Sequence, residues 1–276
     1  MENQIFEPQS CFTDALEIHT DLSSTHVFEP STQYVAKDLL LPGQIGQIKA
    51  QSCGTWVACG VACAIAEGRT VLSQFECTAP AGVIVLQGGM SHEHFTDRLK
   101  RLMRGTEPPA IKVISPVHFT GDATKNLCDE TVQDEFFTWL AKQNDYRVLI
   151  LDGIDGFLPD KPEPSQINRL LAGLRRESVT VVSVESNGRG GLPLFPNQPD
   201  LILDAKALEG VDDLIIRITF EKARSLKRDQ QKTFFIKLVE NEDGKLAFVE
   251  APMDEYLKAK TLQLLTKGWT QQKIAR

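Results

Sequence analysis

Hydrophobic and polar positions fall into short blocks that switch between a period of two and a period of 3.6. Ile45 to Ala50 alternates like a strand after the turn Pro42-Gly43. Thr55 to Glu67 is an apolar, small-residue run that predicts a helix stopped by Gly68. Val83 to Leu86 predicts a second strand. Ser91 offers a cap for a helix that places Phe95, Leu99, Leu102 and Met103 on one face, with Gly105 as its stop. Ile111 to Ile114 is again strand-like. Val132, Phe136, Trp139 and Leu140 mark an amphipathic helix, and Val148 to Leu151 is a continuously apolar strand ending on Asp152. After a Pro-rich loop, Ile167, Leu170, Leu171 and Leu174 define another helix and Val179 to Val184 a β-branched strand.

Strand and helix alternating in this way predict an α/β fold, a mostly parallel sheet covered on both faces. Beyond residue 200 the intervening helices stop. Leu214 to Phe220, Thr233 to Val239 and Lys245 to Val249 read as strands, the last two joined by the hairpin turn Asn241-Glu242-Asp243-Gly244. The sheet is therefore expected to finish antiparallel. With no internal repeat and no linker between cores, one domain is expected. Residues 1–33, polar and aperiodic, read as a flexible N-terminal arm; residues 34–250 read as the folded domain. Residues 251–276 read as a C-terminal helical segment running from about Met253 through Leu257 and Leu264 to Gly268.

Composition narrows the function classes. The 276 residues carry 30 Lys+Arg against 37 Asp+Glu, a net charge of −7, and 42% are hydrophobic, which excludes disorder as the dominant state. No run approaches the ~20 apolar residues of a membrane span. Met1-Glu2-Asn3-Gln4 lacks the basic start of a signal peptide, so a cytoplasmic location and no membrane partner are expected. The six cysteines are then expected to be reduced, with Cys59 and Cys63, one helical turn apart, as small core residues rather than metal ligands. His92, His94 and His118 show no ligand spacing, and no metal site is expected. The acidic balance argues against general nucleic-acid binding. Local basic runs remain at Lys222, Arg224, Lys227, Arg228 and Lys232, and at Lys100, Arg101 and Arg104; each reads either as a phosphate or partner contact or as a solvated face.

In a parallel sheet, the turn from the first strand into its helix is where phosphate would sit, held by backbone N–H groups and the helix N-terminus. That segment reads Gly46-Gln47-Ile48-Lys49-Ala50-Gln51-Ser52-Cys53-Gly54-Thr55-Trp56. It belongs to an ordered set: the turn Leu41-Pro42-Gly43, the helix ending Ala64-Ile65-Ala66-Glu67-Gly68, a strand running to Met90, the strand ending on Asp152, and Phe220-Glu221-Lys222-Ala223-Arg224. Over about residues 34–250 this order resembles the RecA-fold ATPases related to plasmid hexameric replicative helicases of the RepA type. The resemblance implies a three-layer RecA-like P-loop fold. It also implies a phosphate loop of the form G-x-x-x-x-G-K-[ST].

Against that pattern Thr55 stands at the hydroxyl position, but Gly54 replaces the Lys and Cys53 the preceding Gly, and the loop is shorter by about two residues. Gly89 stands where the family carries its water-activating Glu, and Val184-Glu185-Ser186-Asn187 lacks the family's sensor His. What matches is Asp152, which in relatives helps hold Mg²⁺ through water, and Lys222 with Arg224, which resemble the pair that reaches a neighbour's nucleotide. Asp152 also reads as a polar residue closing an apolar strand, and Lys222 and Arg224 as a solvated hairpin edge.

Phosphoryl transfer in this fold depends on placed charge, so three losses together imply a degenerate site at Ser52, Cys53, Gly54, Thr55 and Asp152. With the helicase resemblance, the expected protein is a hydrolysis-deficient pseudo-ATPase with no cofactor, a DNA-associated or protein-binding assembly module of a mobile element or DNA-processing system. It would pair with itself or a protein partner through Lys222 and Arg224, and meet DNA or a partner through Lys227, Arg228 and Lys232. Two alternatives stand beside it. In the first, an active ATPase or helicase takes its missing charge from Lys49 or from a partner's Lys and uses ATP and Mg²⁺. In the second, a DNA-binding regulator uses Lys258 to Arg276, which looks like the opening half of a helix-turn-helix and reads equally as a helix docked on the core.

Overall fold

Alternation along the first strand decides how the layers form. The computed structural model describes residues 35–105, 110–116, 126–143, 145–159, 161–186, 199–208, 214–270 and 273. Strand β1 (Ile45–Gln51) sends Ile48 and Ala50 to one face of the sheet and Ile45 to the other. Helix α1 (Gly54–Ala66) follows, then β2 (Gly82–Gln87), α2 (His92–Leu102), β3 (Ile111–Ile114), α3 (Glu130–Ala141) and β4 (Tyr146–Asp152). The chain continues through α4 (Pro164–Arg176), β5 (Thr180–Ser186), β6 (Leu201–Ala207), β7 (Ile215–Ala223), β8 (Phe234–Glu240), β9 (Leu246–Glu250) and α5 (Met253–Thr266). The nine strands lie in the order β3-β2-β4-β5-β1-β6-β7-β8-β9. Pairs from β3 across to β6 are parallel; β6–β7, β7–β8 and β8–β9 are antiparallel.

Two apolar layers result. Helices α1 and α2 pack on one face with Ile48, Val83, Val85, Val148, Ile150 and Val182. Helices α3 and α4 pack on the other with Ile45, Ile84, Leu86, Leu149, Leu151 and Val181. Each such side chain, fully buried, contributes about 1.5–3 kcal/mol. The expected α/β architecture with an antiparallel finish is present. One strand is added to it, because Leu201–Ala207, where the sequence pattern suggests no element, forms β6 parallel to β1. The buried Leu201, Leu203 and Ala205 alternate there with half-exposed Ile202, Asp204 and Lys206, and two charges in seven residues break the apolar run.

Helix α1 is apolar on nearly every side, which fits a helix buried all round. The sheet covers one side. The other is closed because the antiparallel wing turns back over it: the Phe248 ring lies against Gly60, Ser73 Oγ donates to the Phe248 carbonyl (2.9 Å), and Arg101 pairs with Glu240 (3.2 Å). The helix ends as expected at Gly68, whose φ of +65° lets its N–H reach Ile65 O (3.1 Å) and the Arg69 N–H reach Ala64 O (2.7 Å). Ser91 caps α2 by accepting from the His94 N–H (3.3 Å). The N-terminal arm, His118 and Cys11 lie outside the described residues. Among the described residues the other five cysteines are free thiols, and no helix is long and apolar enough to cross a membrane.

Candidate functional site

Strand β1 passes into α1 through Ser52 and Cys53 alone. The turn is made tight by Ser52, exposed and left-handed at φ +61°. Cys53, the residue before the helix, is 1% exposed and places Sγ 3.8 Å from the carbonyl of Ala205 on β6. Burial pushes its thiol up to about 11, so it is neutral at physiological pH. Gly54 is buried, and the half-buried Thr55 hydrogen-bonds the Asp152 carboxyl at the end of β4. Asp152 is 1% exposed, and its Oδ2 has no hydrogen-bond partner among the described residues. Burial raises its pKa to about 6, against the opposing pulls of the Thr55 hydrogen bond and the Arg98 charge. Arg98, from α2, lies over the Trp56 ring at 4.6 Å.

Beside Asp152, and in register with it, stands Gln87 at the end of β2, 0% exposed. Its Oε1 accepts from Ser115 Oγ (3.5 Å), which lies 3.3 Å from His92 Nδ1, and its Nε2 has no partner among the described residues. Burial lowers the pKa of His92. Above this row Gly88 and Gly153 meet backbone to backbone. A Cβ on Gly153 would stand 2.6 Å from the Gly89 N, so only glycine fits there. Gly89 itself is exposed, with no carboxylate at its position. Sequence reasoning did not single out Arg98 or Ser115; the one visible sign is a charge set between the core residues Phe95 and Leu99.

No family model matches the chain, and no curated protein does. Among solved structures, the chain is similar to a KaiC-like protein from the hyperthermophilic archaeon Pyrococcus horikoshii, with a TM-score of 0.52 and 11% identity. The match covers 82% of this chain and 100% of that one. The fold is RecA-like. At this identity the likeness carries the architecture and leaves the chemistry to the residues present.

Those residues do not fit the nucleotide and Mg²⁺ that RecA-like folds imply. A phosphate cradle needs successive free N–H groups and a cation, and this turn offers two residues, one of them sealed into the core. Lys49, the candidate replacement for the missing lysine, lies on the face of β1 opposite Ile48 and Ala50, and thus opposite α1. Its Nζ is held 2.6 Å from Glu221 Oε2 on β7. Among the described residues no group of three or more His, Cys, Asp or Glu could hold a metal ion. Cys59 and Cys63 are buried, their thiols pushed up by burial, Cys63 to about 12.

The basic candidates of this RecA-like domain gather at the other end of the sheet. Because β7 runs antiparallel to β6, its last residues lie beside the start of β6 and β1. There Arg224 Nη1 donates to Asp200 Oδ1 (2.8 Å), while Asp200 Oδ2 accepts the Ile45 N–H (3.1 Å). Lys222 is half-buried in register with Ile202. Lys227, Arg228 and Lys232 are exposed on the β7–β8 connection, which Gln231 pins through Ala223 O (3.1 Å) and Leu226 O (3.0 Å). Ser52, Cys53, Gly54, Thr55 and Asp152 are thus brought together at the carboxyl edge. Lys222, Arg224, Lys227, Arg228 and Lys232 form a separate group at the amino edge.

Proposed function

We propose that this RecA-like domain has lost nucleotide hydrolysis and acts as a binding and assembly module, pairing with itself or with a protein partner, in a mobile element or a DNA-processing system. The carrying observation is the Ser52-Cys53 connection: no lysine, no free glycine and no length for a phosphate to enter. Phosphoryl transfer relies on placed charge, and this edge offers a buried, partly protonated carboxyl and an arginine stacked on an indole.

Two surfaces support the assembly reading. Arg224 is 59% exposed although it pairs with the 12% exposed Asp200, which has Arg175 3.9 Å away as a second cation, so Arg224 is open to a partner's acid. The second is α5. Met253, Leu257, Leu262, Leu265 and Trp269 are the exposed large hydrophobics of the described chain, 39% to 62% exposed, and all lie in one segment. The DNA-regulator alternative draws on the same segment, and removing residues 253–276 without loss of DNA binding would exclude it.

Thermal unfolding with and without millimolar Mg·ATP, alongside a phosphate-release assay, tests the proposal. Ligand at 100 times its Kd adds about 2.7 kcal/mol of stability. The expected result is no turnover. Turnover that disappears in Asp152→Ala would overturn the proposal in favour of an active enzyme with an unusual loop.

A further inference from the structure

At the amino edge, where α1 ends, the surface forms an open cleft of about 500 Å³, within the roughly 300–1,000 Å³ range of small-molecule sites. It lies at the far end of α1 from Thr55. Arg69 and Arg104 line it, with Gly68, Thr70, Ser73, Cys77 and Phe248.

One buried carboxylate holds the Arg69 side chain and the Arg104 backbone. The Glu67 side chain is 9% exposed; its Oε2 accepts from Arg69 Nε, and its Oε1 accepts the backbone N–H groups of Arg104 (2.8 Å) and Gly105 (3.1 Å). Arg69 also donates through Nη2 to Leu102 O (3.2 Å). Its planar group is therefore fixed before any ligand arrives, which lowers the cost of binding. Of the basic run Lys100, Arg101 and Arg104, the Lys100 carbonyl accepts from Lys245 Nζ (2.9 Å) and Arg101 pairs with Glu240. Arg104 itself is exposed and lines the cleft. Cys77 adds no negative charge, because burial pushes its thiol up to about 11 while Arg69 pulls the other way. Glu76, exposed, is the carboxylate on the lining, and it suits a hydrogen-bond donor on the far side of a ligand.

We infer that this cleft binds a small organic oxyanion, its charge held by Arg69 and Arg104. Arginine's planar fork matches carboxylate and phosphate oxygens. The site is independent of the nucleotide edge, since no residue is shared between them.

The test is calorimetric titration of the full chain with AMP, inorganic phosphate and benzoate. Saturable binding of AMP or benzoate is expected, weakened about tenfold or more in Arg104→Ala and unchanged in Thr55→Val. Arg104→Ala leaves the bonds of Glu67 in place, because these use the backbone N–H of residue 104. Binding of AMP and phosphate without benzoate assigns a phosphate ester; binding of benzoate admits carboxylates; either result upholds the site. Absence of saturable binding for all three probes, or affinities equal in the parent and Arg104→Ala, overturns it. Nucleotide binding lost in Thr55→Val but kept in Arg104→Ala would overturn it too, and would count separately against the closed phosphate edge.

Discussion

Asp152 shows how much a single buried group decides. Its carboxyl has a folded pKa of about 6 against an ordinary 3.8, chiefly because burial disfavours the charge. The folded state therefore holds the proton more tightly than the unfolded chain, and the stability this group contributes is fully present below about pH 4 and is lost as pH rises through 6. Asp152→Asn removes this loss. We expect it to stabilise the protein by about 3 kcal/mol at pH 8 and by close to nothing at pH 4, read by urea unfolding at both values. An equal effect at the two pH values would show that the carboxylate is not the strained species. Ser178 gives a second test. It follows α4 at φ +55°, with its N–H on Arg175 O (3.0 Å) and the Val179 N–H on Leu174 O (3.3 Å), the hydrogen-bond pattern that glycine completes after α1. Ser178→Gly should raise stability by about 0.5–1 kcal/mol, and a loss in chemical denaturation would contradict the reading.

Among the elements, α5 has the least settled surroundings. Its inner side meets the sheet through Tyr256 and Ala259, with the Phe235 and Tyr256 rings 4.5 Å apart and Lys237 paired to Glu255 (2.6 Å). Its outer side carries the exposed leucines, so if α5 is the assembly surface, Leu257→Lys with Leu262→Lys should shift a self-associating protein to monomer in light scattering. The melting temperature should barely move, because exposed substitutions usually change stability by less than about 0.5 kcal/mol. Most elements were legible from periodicity alone, since Phe95, Leu99 and Leu102, or Ile167, Leu170 and Leu174, face one layer. β6 was not, because Asp204 and Lys206 turn to the uncovered face and hide the alternation. The candidate site divides the same way. The missing lysine and the grouping of Thr55 with Asp152 follow from the family resemblance, while Arg98 over Trp56 and the sealing of Cys53 depend on how α2 and β6 pack.

On the scale of the whole molecule, a local sequence pattern gives the parallel layers but not the curl of the antiparallel wing, which depends on what the wing meets. It meets α1. A Cβ on Gly60 would stand 2.5 Å from Phe248 Cε2, so the wing approaches as closely as a glycine allows. The absence of a side chain at position 60 and the ring at position 248 are therefore two halves of one contact, joining the ninth strand to the first helix. Gly60→Ala should push the ring outward and cost about 1–3 kcal/mol, the usual penalty of overpacking. Phe248→Ala should cost about 2–4 kcal/mol for the half-buried ring, through lost burial and the space left behind. In the double variant the new methyl enters part of the space the ring vacates, so the two losses should sum to more than the measured one, by about 1 kcal/mol in a double-mutant cycle. Strict additivity in urea unfolding would mean that the wing does not rest on α1. A single unfolding transition in all four proteins, parallel layers and wing together, would show that the contact closes one cooperative core.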